Sequence, residues 1–519
     1  MTKNAAGIPL PDSVEGYNLK PYQGLYAKEP SQIPVKSART EGKVLPSDTK
    51  LLPDLVTAVE KSGLADGMTI SFHHSFREGD LIIGQVLAAI KSLGIKGLCF
   101  APSAVVNIKN PSIVDYIKDG TIRSIQASGI RGELGDAVLS GILETPVILR
   151  PHGSRPRAIE QGELTIDVAF IGASESDDYG NCTGQRGPNP CGALGYSFVD
   201  AMHAHCVVVV TDHLAPYPAL PASITQNYVD YVVKVDCIGD PDKIGSGATR
   251  ATKNPRDLAI AQKTADIMAA SRRFVSGFGF QTGAAAISIA CTEFLAQHMR
   301  DREITAGFAL GGITAAIIEM HREGLVDVVA CSQSFDSVAA RAIAEYPKVV
   351  EIDNALYANP WQKGCMLNRE TFGVLGALEV DLDFNVNILT GSSGEMMGGL
   401  GGGPDVAGGS ILSIITLPII RGRTPSVVEK VFTCCTPGDS VAVVVTEAGI
   451  ALNPKHDLYE ELREDLTKAC IPITTIEELH KLAISLTGEP KSVQTTDRVV
   501  AIVEYRDGSV LDVIYQLKN

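Results

Sequence analysis

Two short apolar runs, Val207-Val-Val-Val210 and Val441-Ala-Val-Val-Val445, restrict the fold of this chain more than any other feature. β-Branched side chains are stiff at their first torsion and favour extended backbone. Neither run alternates with polar residues, so each strand needs cover on both faces. Strands of that kind belong to parallel sheets, whose neighbours are joined by crossover connections, usually helices.

The surrounding segments supply those helices. Leu51–Ser62 carries Leu52, Leu55, Val56 and Val59 on one helical face. Asp66-Gly67 is a turn and Met68–Phe72 a short strand. Asp80–Leu93 is a helix striped by Leu81, Ile82, Val86, Leu87, Ile90 and Leu93, and Gly97–Ala101 is the next strand. The same order returns from about residue 272: Phe274–Phe280 strand-like, Ala284–Arg300 helix, Thr305–Leu310 strand, Gly311–Gly324 helix. Element order repeats without a residue-level repeat, which predicts two α/β units of similar plan. Lys253–Arg272 is a charged helical connector between them. The expected division is an arm at 1–45, a first unit at 46–260 and a second at 261–519. The arm, rich in proline, lysine and serine, is expected to wrap the first unit or a partner subunit.

With 519 residues, 45% of them hydrophobic, the chain can bury more than one core. Acidic residues outnumber basic ones 60 to 45, for a formal charge of −15. That balance excludes nucleic acid and anionic membrane surfaces as bulk partners, although a local basic pocket can still take an acidic ligand. The N-terminal residues show no long apolar core. Ser410–Ile420 is too short to span a bilayer and contains a proline, so neither a secretory leader nor a membrane span is expected. The 11 cysteines include no CxxC pair. Reduced thiols and a cytoplasmic setting follow, with Cys434-Cys435 on alternate faces of a strand.

Candidate chemistry concentrates at Leu375-Gly-Ala-Leu-Glu379-Val-Asp-Leu-Asp-Phe-Asn-Val-Asn387 and the loop that follows, Met397-Gly-Gly-Leu-Gly-Gly-Gly-Pro-Asp405. Glu379 stands in apolar, strand-like surroundings, where a carboxylate resists charging unless it is stabilised. It can act as nucleophile on a thioester, as base or substrate-orienting group, or as a strand-end glutamate paired with an arginine. Gly398, Gly399, Gly401, Gly402 and Gly403 let backbone N–H groups approach an oxyanion or phosphate, and Asp405 is expected to cap the next helix. His73, His74 and Arg77 form the best polar cluster of the first half, and Arg suits a carboxylate bidentately. Gly311-Gly312, read at a helix start, can hold an anion or mark tight packing. Asp177-Asp178 reads as a solvated acidic loop, from which Asn181 is expected to reach the ligand. His203-Ala-His205 and Cys206 lack third and fourth ligands at a recognised spacing, so no metal is expected.

The Ala377-Leu-Glu379-Val-Asp-Leu stretch, the glycine loop ending at Asp405 and Val445-Thr-Glu447-Ala-Gly449 resemble elements of the CoA-transferase superfamily. Gly67-Met-Thr-Ile-Ser-Phe-His73-His74, Gly172-Ala-Ser-Glu-Ser-Asp177-Asp-Tyr-Gly-Asn181 and Gly307-Phe-Ala-Leu-Gly311-Gly312 narrow the resemblance to the α-subunit branch of citrate lyase, the citrate CoA-transferases. Their order extends over more than 400 residues. The resemblance implies two similar CoA-transferase-like domains, each a parallel or mixed sheet flanked by helices, with the active site in the cleft between them. It implies exchange of acetate for citrate on the thiol of a CoA-like prosthetic group, phosphoribosyl-dephospho-CoA. That group is supplied by an acyl carrier protein, the γ subunit, so this chain binds no cofactor of its own. A β subunit, the citryl-ACP lyase, then cleaves the citryl thioester. The implied setting is citrate fermentation in the cytoplasm, by a homo-oligomer within a larger complex. The candidate site is then Glu379 for catalysis, Gly398, Gly399, Gly401, Gly402, Gly403 and Asp405 for the thioester, and His73, His74, Arg77, Asn181, Gly311 and Gly312 for the acid. Phe384 and Val406 depart from the acetate-type pattern of glycine and phenylalanine, so the pocket near Glu379 differs from theirs. This branch is thought to proceed without a covalent glutamyl thioester. Two alternatives are a freestanding acetyl-CoA:carboxylic acid CoA-transferase or thioesterase, and a non-catalytic ligand sensor. A sensor would carry a basic DNA-binding element, which residues 1–45 do not resemble.

Overall fold

The computed structural model describes residues 2–29, 40–42, 45–46, 48–105, 111–244, 251–283 and 285–518. Two large sheets organise them, one of ten strands and one of eight. In the first sheet, the neighbours in order are Val510–Leu517, Thr495–Glu504, Val147–Leu149, Ile122–Ala127, Leu98–Phe100, Thr69–Ser71, Val168–Gly172, Cys206–Thr211, Tyr231–Lys234 and Leu51–Leu52. In the second they are Val349–Glu351, Val326–Ser334, Ala306–Ile313, Gly279–Thr282, Phe372–Gly376, Leu412–Thr416, Val443–Val445 and Ile450–Leu452. Each half therefore contains seven parallel strands in the same spatial order, 4-3-2-1-5-6-7 by chain position. The repeat of element order is a repeat of topology. Val207–Val210 lies in the sixth strand of the first sheet, at most 1% exposed, covered on both faces as its composition requires.

Strand order reverses between the first and fifth strands of each sheet. The carboxyl ends of strands at such a switch point open a crevice, because the flanking connections leave in opposite directions. In the first sheet this point lies between Thr69–Ser71 and Val168–Gly172; in the second, between Gly279–Thr282 and Phe372–Gly376.

Several expectations change. The second unit does not keep all of 261–519: the antiparallel hairpin of Thr495–Glu504 and Val510–Leu517 completes the first sheet through parallel pairing with Val147–Leu149. The described part of the arm lies on that hairpin: Asn4 donates to the Leu511 carbonyl at 2.7 Å, and the Tyr22 ring meets Tyr505 edge-on. Leu51–Leu52 pairs as a strand and the helix begins only at Leu55, after Asp54 caps it by accepting from Thr57. Gly311-Gly312 does not start a helix. It is a register shift within Ala306–Ile313, where Gly311 takes φ +89° and the Phe335 ring fills the space a Gly312 side chain would need. The Phe274–Phe280 stretch becomes strand only from Gly279. Among the described residues no helix is long and apolar enough to cross a membrane.

Candidate active site in the cleft between the sheets

The glycine loop of the second half reaches across to the first sheet. Leu400 N–H donates to the Ser128 carbonyl at 2.7 Å, and His152 N–H donates to the Gly401 carbonyl at 2.8 Å. Ser128 follows the strand Ile122–Ala127 and His152 follows Val147–Leu149, so both contacts lie at carboxyl ends of strands. Gly129 and Gly399 meet backbone to backbone. A Cβ on Gly129 would fall 2.2 Å from the Gly399 Cα, so position 129 takes only glycine, while one on Gly399 would be tight, 3.2 Å from the Gly129 Cα. Asp405 fastens the junction from beneath, its Oδ2 accepting from Gly153 N–H at 2.8 Å. It lies in the first turn of the helix Gly403–Gly409, whose N-cap is Gly402, so it clamps the two halves rather than capping that helix. Burial pushes its carboxyl up to about 7, against the pull of Arg506.

A cavity of about 260 Å³ lies over this junction. Its walls come from both halves: His152 and Tyr196 from the first; Gln281, Gly312, Phe335, Tyr357, Gly376 and Gly399–Gly403 from the second. Among the described residues, the N–H groups of Gly401 and Gly402 find no backbone or side-chain acceptor. Unpaired backbone donors at a cavity wall are ready sites for an anionic oxygen. Tyr357 forms the floor beneath Gly402, and its hydroxyl is held by Gln281 Nε2 at 2.9 Å. A larger depression, about 540 Å³ around Phe384, Tyr459 and Glu477, draws on no residue of the first half.

Three rings stand together at the first-half wall. His74 lies 4.5 Å from Tyr196 and 5.4 Å from His152, centroid to centroid, and His152 lies 4.8 Å from Tyr196. His152 Nδ1 is 2.6 Å from the Tyr196 hydroxyl, and His74 Nδ1 is 2.6 Å from Ser103 Oγ. Burial, then the Arg155 charge, drives the His152 imidazole down to about 3; burial, then His152 and Arg77, drives His74 well below its usual value. Both rings are neutral near pH 7.

Beneath the rings runs a buried charge triad. Arg155 forks onto Asp200 with contacts of 2.6 and 2.7 Å, and His73 Nε2 lies 3.1 Å from Oδ2 of that carboxylate, the oxygen that Arg155 Nη2 also meets. Burial would raise Asp200, but Arg155 and His73 more than reverse this and hold it well below the carboxylate range. Each member of the triad is one to four residues from a ring: His73 by His74, Arg155 by His152, Asp200 by Tyr196. One ion network thus fixes three ring positions.

The predicted residues divide accordingly. Gly312, Gly399, Gly401, Gly402 and Gly403 line the cavity; His74 stands behind the wall against His152 and Tyr196, and Asp405 holds the junction beneath it. His73 is committed to Asp200. Gly398 sits behind the loop, the place of its absent Cβ lying 2.3 Å from the Ile388 carbonyl oxygen, and Gly311 packs on Gln281. Asn181 is turned inward, bonding Asp177 and Gln226 at 2.8 Å each. Asp177 is not a solvated acid: it is fully buried and accepts N–H bonds from Tyr179, Asn181 and Ala219. Arg77 lays its guanidinium 4.8 Å from the centre of the Phe335 ring, and its Nη1 is buried without a hydrogen-bond partner. Its backbone takes φ 53°, ψ −137°, a costly conformation for a residue with a Cβ.

Glu379 is buried in the strand Glu379–Asp381 but is absent from the cavity wall. Its Oε2 accepts from Asn387 Nδ2 at 3.0 Å and its Oε1 from the Ser392 hydroxyl. Burial raises its pKa, offset by Ser392, Asn387 and the Arg421 charge. His203 ends a helix and His205 is an exposed residue 3.1 Å from Asp167, and the described residues hold no cluster suited to a metal. Cys434 and Cys435 are both buried free thiols in a loop, not on a strand.

The sequence reading did not name His152, Tyr196, Gln281 or Tyr357. The one local signal for His152 is its place in Leu149-Arg-Pro-His-Gly153, a turn between an apolar strand and a helix, where βα loops carry function.

The family described as citrate lyase, alpha subunit, matches residues 48–517. The citrate lyase alpha chain of Klebsiella pneumoniae is 48% identical over 502 residues, 96% of each chain. A Streptococcus mutans citrate lyase alpha subunit, solved in complex with citrate, superposes with a TM-score of 0.95 at 45% identity, covering 100% of both chains. A malonate decarboxylase alpha subunit from Acinetobacter baumannii shares the fold alone, with a TM-score of 0.63 at 15% identity over 85% of this chain and 88% of its own.

Proposed function

The chain belongs to the citrate lyase alpha subunit family, and from that premise we propose that it is the enzyme subunit that exchanges acetate for citrate on a carrier-borne thiol: acetyl carrier plus citrate gives citryl carrier plus acetate. The observation that carries this reading is the convergence, on one cavity, of unpaired glycine-loop N–H groups from one half and neutral rings from the other. A likeness at 45% identity to a protein solved with citrate supports the choice of acid.

The chemistry asks for two things. A carboxylate oxygen of citrate bonds to the acetyl carbon, the carbon–sulfur bond breaks and its pair stays on sulfur. The citryl carbonyl of the mixed anhydride is then captured by that sulfur, and acetate leaves. No net proton moves. Negative charge passes through an acyl oxygen in both steps, and Gly401 and Gly402 N–H groups meet it without reorganising. The carrier's phosphoribosyl-dephospho-CoA group supplies the thiol on a flexible arm; the small, donor-lined cavity suits the acyl end of such an arm. An acyl carrier protein and a citryl lyase subunit are the partners of this reading, in the cytoplasm.

Arg77, packed on the cavity residue Phe335 though not itself in the wall, supplies the acid contact. Its strained backbone and partnerless Nη1 are repaid when a carboxylate takes the fork. Arg77→Ala should weaken citrate by about 1.5–3 kcal/mol in binding, and acetate far less. Equal losses in calorimetric titrations of the two acids would make Arg77 structural.

Glu379 is occupied by Asn387 and Ser392, which favours direct attack by citrate over a glutamyl thioester. The expected result is that hydroxylamine and borohydride trap no adduct on Glu379, and that Glu379→Gln retains measurable exchange. A mass shift at Glu379 in the wild-type chain alone would reverse the assignment. The whole reading is tested by mixing the purified chain with acetyl carrier protein and a panel of mono-, di- and tricarboxylates and following acyl exchange by mass. Exchange on free CoA in preference to the carrier would favour a freestanding CoA-transferase.

A further inference from the structure

We propose that His152 is a catalytic hydrogen-bond donor that works as a neutral imidazole, and that Tyr196 decides which of its nitrogens carries the proton. This rests on the acyl-exchange reading and adds to it a third donor, supplied by the half opposite the glycine loop.

The ring's orientation comes first. Its Nδ1 faces the Tyr196 hydroxyl at 2.6 Å, and its Nε2 has no hydrogen-bond partner among the described residues. The Cε1 edge, between the two nitrogens, lies 3.9 Å from where a Cβ on Gly401 would stand. The ring lines the cavity, with Gly401 and Gly402 beside it.

The tautomer follows from satisfying Tyr196. That residue is buried, and its hydroxyl has two neighbours: His152 Nδ1 at 2.6 Å, and the Asn354 amide, which works against burial to lower the phenol's pKa, as a donor to its oxygen does. If Nδ1 carried the proton, the phenolic hydrogen would be left buried without an acceptor, a loss of roughly 1–3 kcal/mol by the usual cost of an unmet donor. If the phenol donates to Nδ1, both groups are satisfied and the single imidazole proton sits on Nε2, facing the cavity. Arg155, forked onto Asp200 below, adds positive charge that opposes a second proton. A ring kept neutral this way polarises a carbonyl without releasing its proton. In each half of the exchange, Nε2–H and the glycine N–H groups hold the same acyl oxygen while the carbon–oxygen bond forms and the carbon–sulfur bond breaks. His152 begins and ends each step with one proton.

Tyr196 is a positioning residue, and its test needs a readout other than turnover. In protein with ¹⁵N-labelled histidine, the His152 signals should show a bare Nδ1 and a protonated Nε2, and Tyr196→Phe should give a mixture. With acetyl carrier protein and citrate, His152→Ala should lower kcat about 10²–10³-fold, the loss typical of one oxyanion donor. His152→Gln, which keeps an N–H, should recover at least tenfold of that. A protonated Nδ1 in the wild-type spectrum, or a kcat for His152→Ala within threefold of wild type, would overturn the proposal alone. Wild-type protein that exchanges no acyl group with either acid would overturn the acyl-exchange reading, and this one with it.

Discussion

Arg155→Met is expected to cost about 3–5 kcal/mol of folding stability, because it leaves Asp200 in the interior with half its partners removed. Asp200 is completely buried, and Arg155 meets it with two short contacts, 2.6 and 2.7 Å, while also donating to the Ala101 carbonyl at 3.0 Å. His73 Nε2 then remains beside it, at 3.1 Å. Denaturant midpoints of the single variant, of Asp200→Leu and of the double variant separate the pair's net worth from the penalty of an orphaned charge. The double variant should recover a large part of the loss, since removing both charges also removes the desolvation cost. A single-variant loss below about 1 kcal/mol would mean that water reaches Asp200. Activity of the folded double variant is expected to be low, because the helices carrying Tyr196 and following His152 lose the link that sets their spacing.

Gly129→Ala is expected to lower turnover about 10²–10³-fold, although Gly129 stands behind the cavity wall and not in it. One methyl group there would stand 2.2 Å from the Gly399 Cα and 2.8 Å from the Gly398 carbonyl oxygen. Both obstacles are backbone, so no rotamer change relieves them and the glycine loop must lift from the first sheet. The Leu400–Ser128 and His152–Gly401 hydrogen bonds stretch, and the Gly401 and Gly402 N–H groups leave the position of the acyl oxygen. Steady-state kinetics should show the loss mainly in kcat. Gly84→Ala is the matching control: it lies inside the helix Ile82–Ser92 with open space where its Cβ would go. Undiminished kcat in Gly129→Ala would show that loop placement does not govern the reaction.

What was readable in the sequence is what local chemistry dictates. Val207–Val210 has to be a doubly covered strand and is; of the stripe from Leu81 to Leu93, Ile82, Val86, Leu87 and Ile90 are buried, Leu93 is partly so, and Leu81, ahead of the helix, is exposed. Glu379 is on a strand, and the glycines of 399–403 do reach a cavity. The failures share a cause, which is contact between residues far apart in the chain. Asn387 and Ser392 occupy Glu379 through a turn whose geometry no spacing rule announces. Gly311-Gly312 looks like a helix start until Phe335, just past the end of the next strand, takes the space of the missing side chain. Asp177 reads as a surface acid because the N–H groups that enclose it include that of Ala219, 42 residues away. His152 and Tyr196 are 44 residues apart and acquire meaning only once the Arg155–Asp200 pair has brought their helices together.

The hairpin at Thr495–Leu517 imposes an order on biosynthesis. Val147–Leu149 leaves the ribosome as the outermost strand of the first half, and its partner, Thr495–Glu504, is translated about 350 residues later. At ~5–20 residues per second that interval is roughly 17–70 s, long beside the microseconds to seconds in which a domain collapses. Throughout it the nascent chain presents an unpaired strand edge, a template for a neighbouring chain on the same message. Arg150, next to that edge, has no counter-ion until Glu504 arrives to bond it at 2.7 Å. The first sheet is thus completed only by the last strands of the chain to be made.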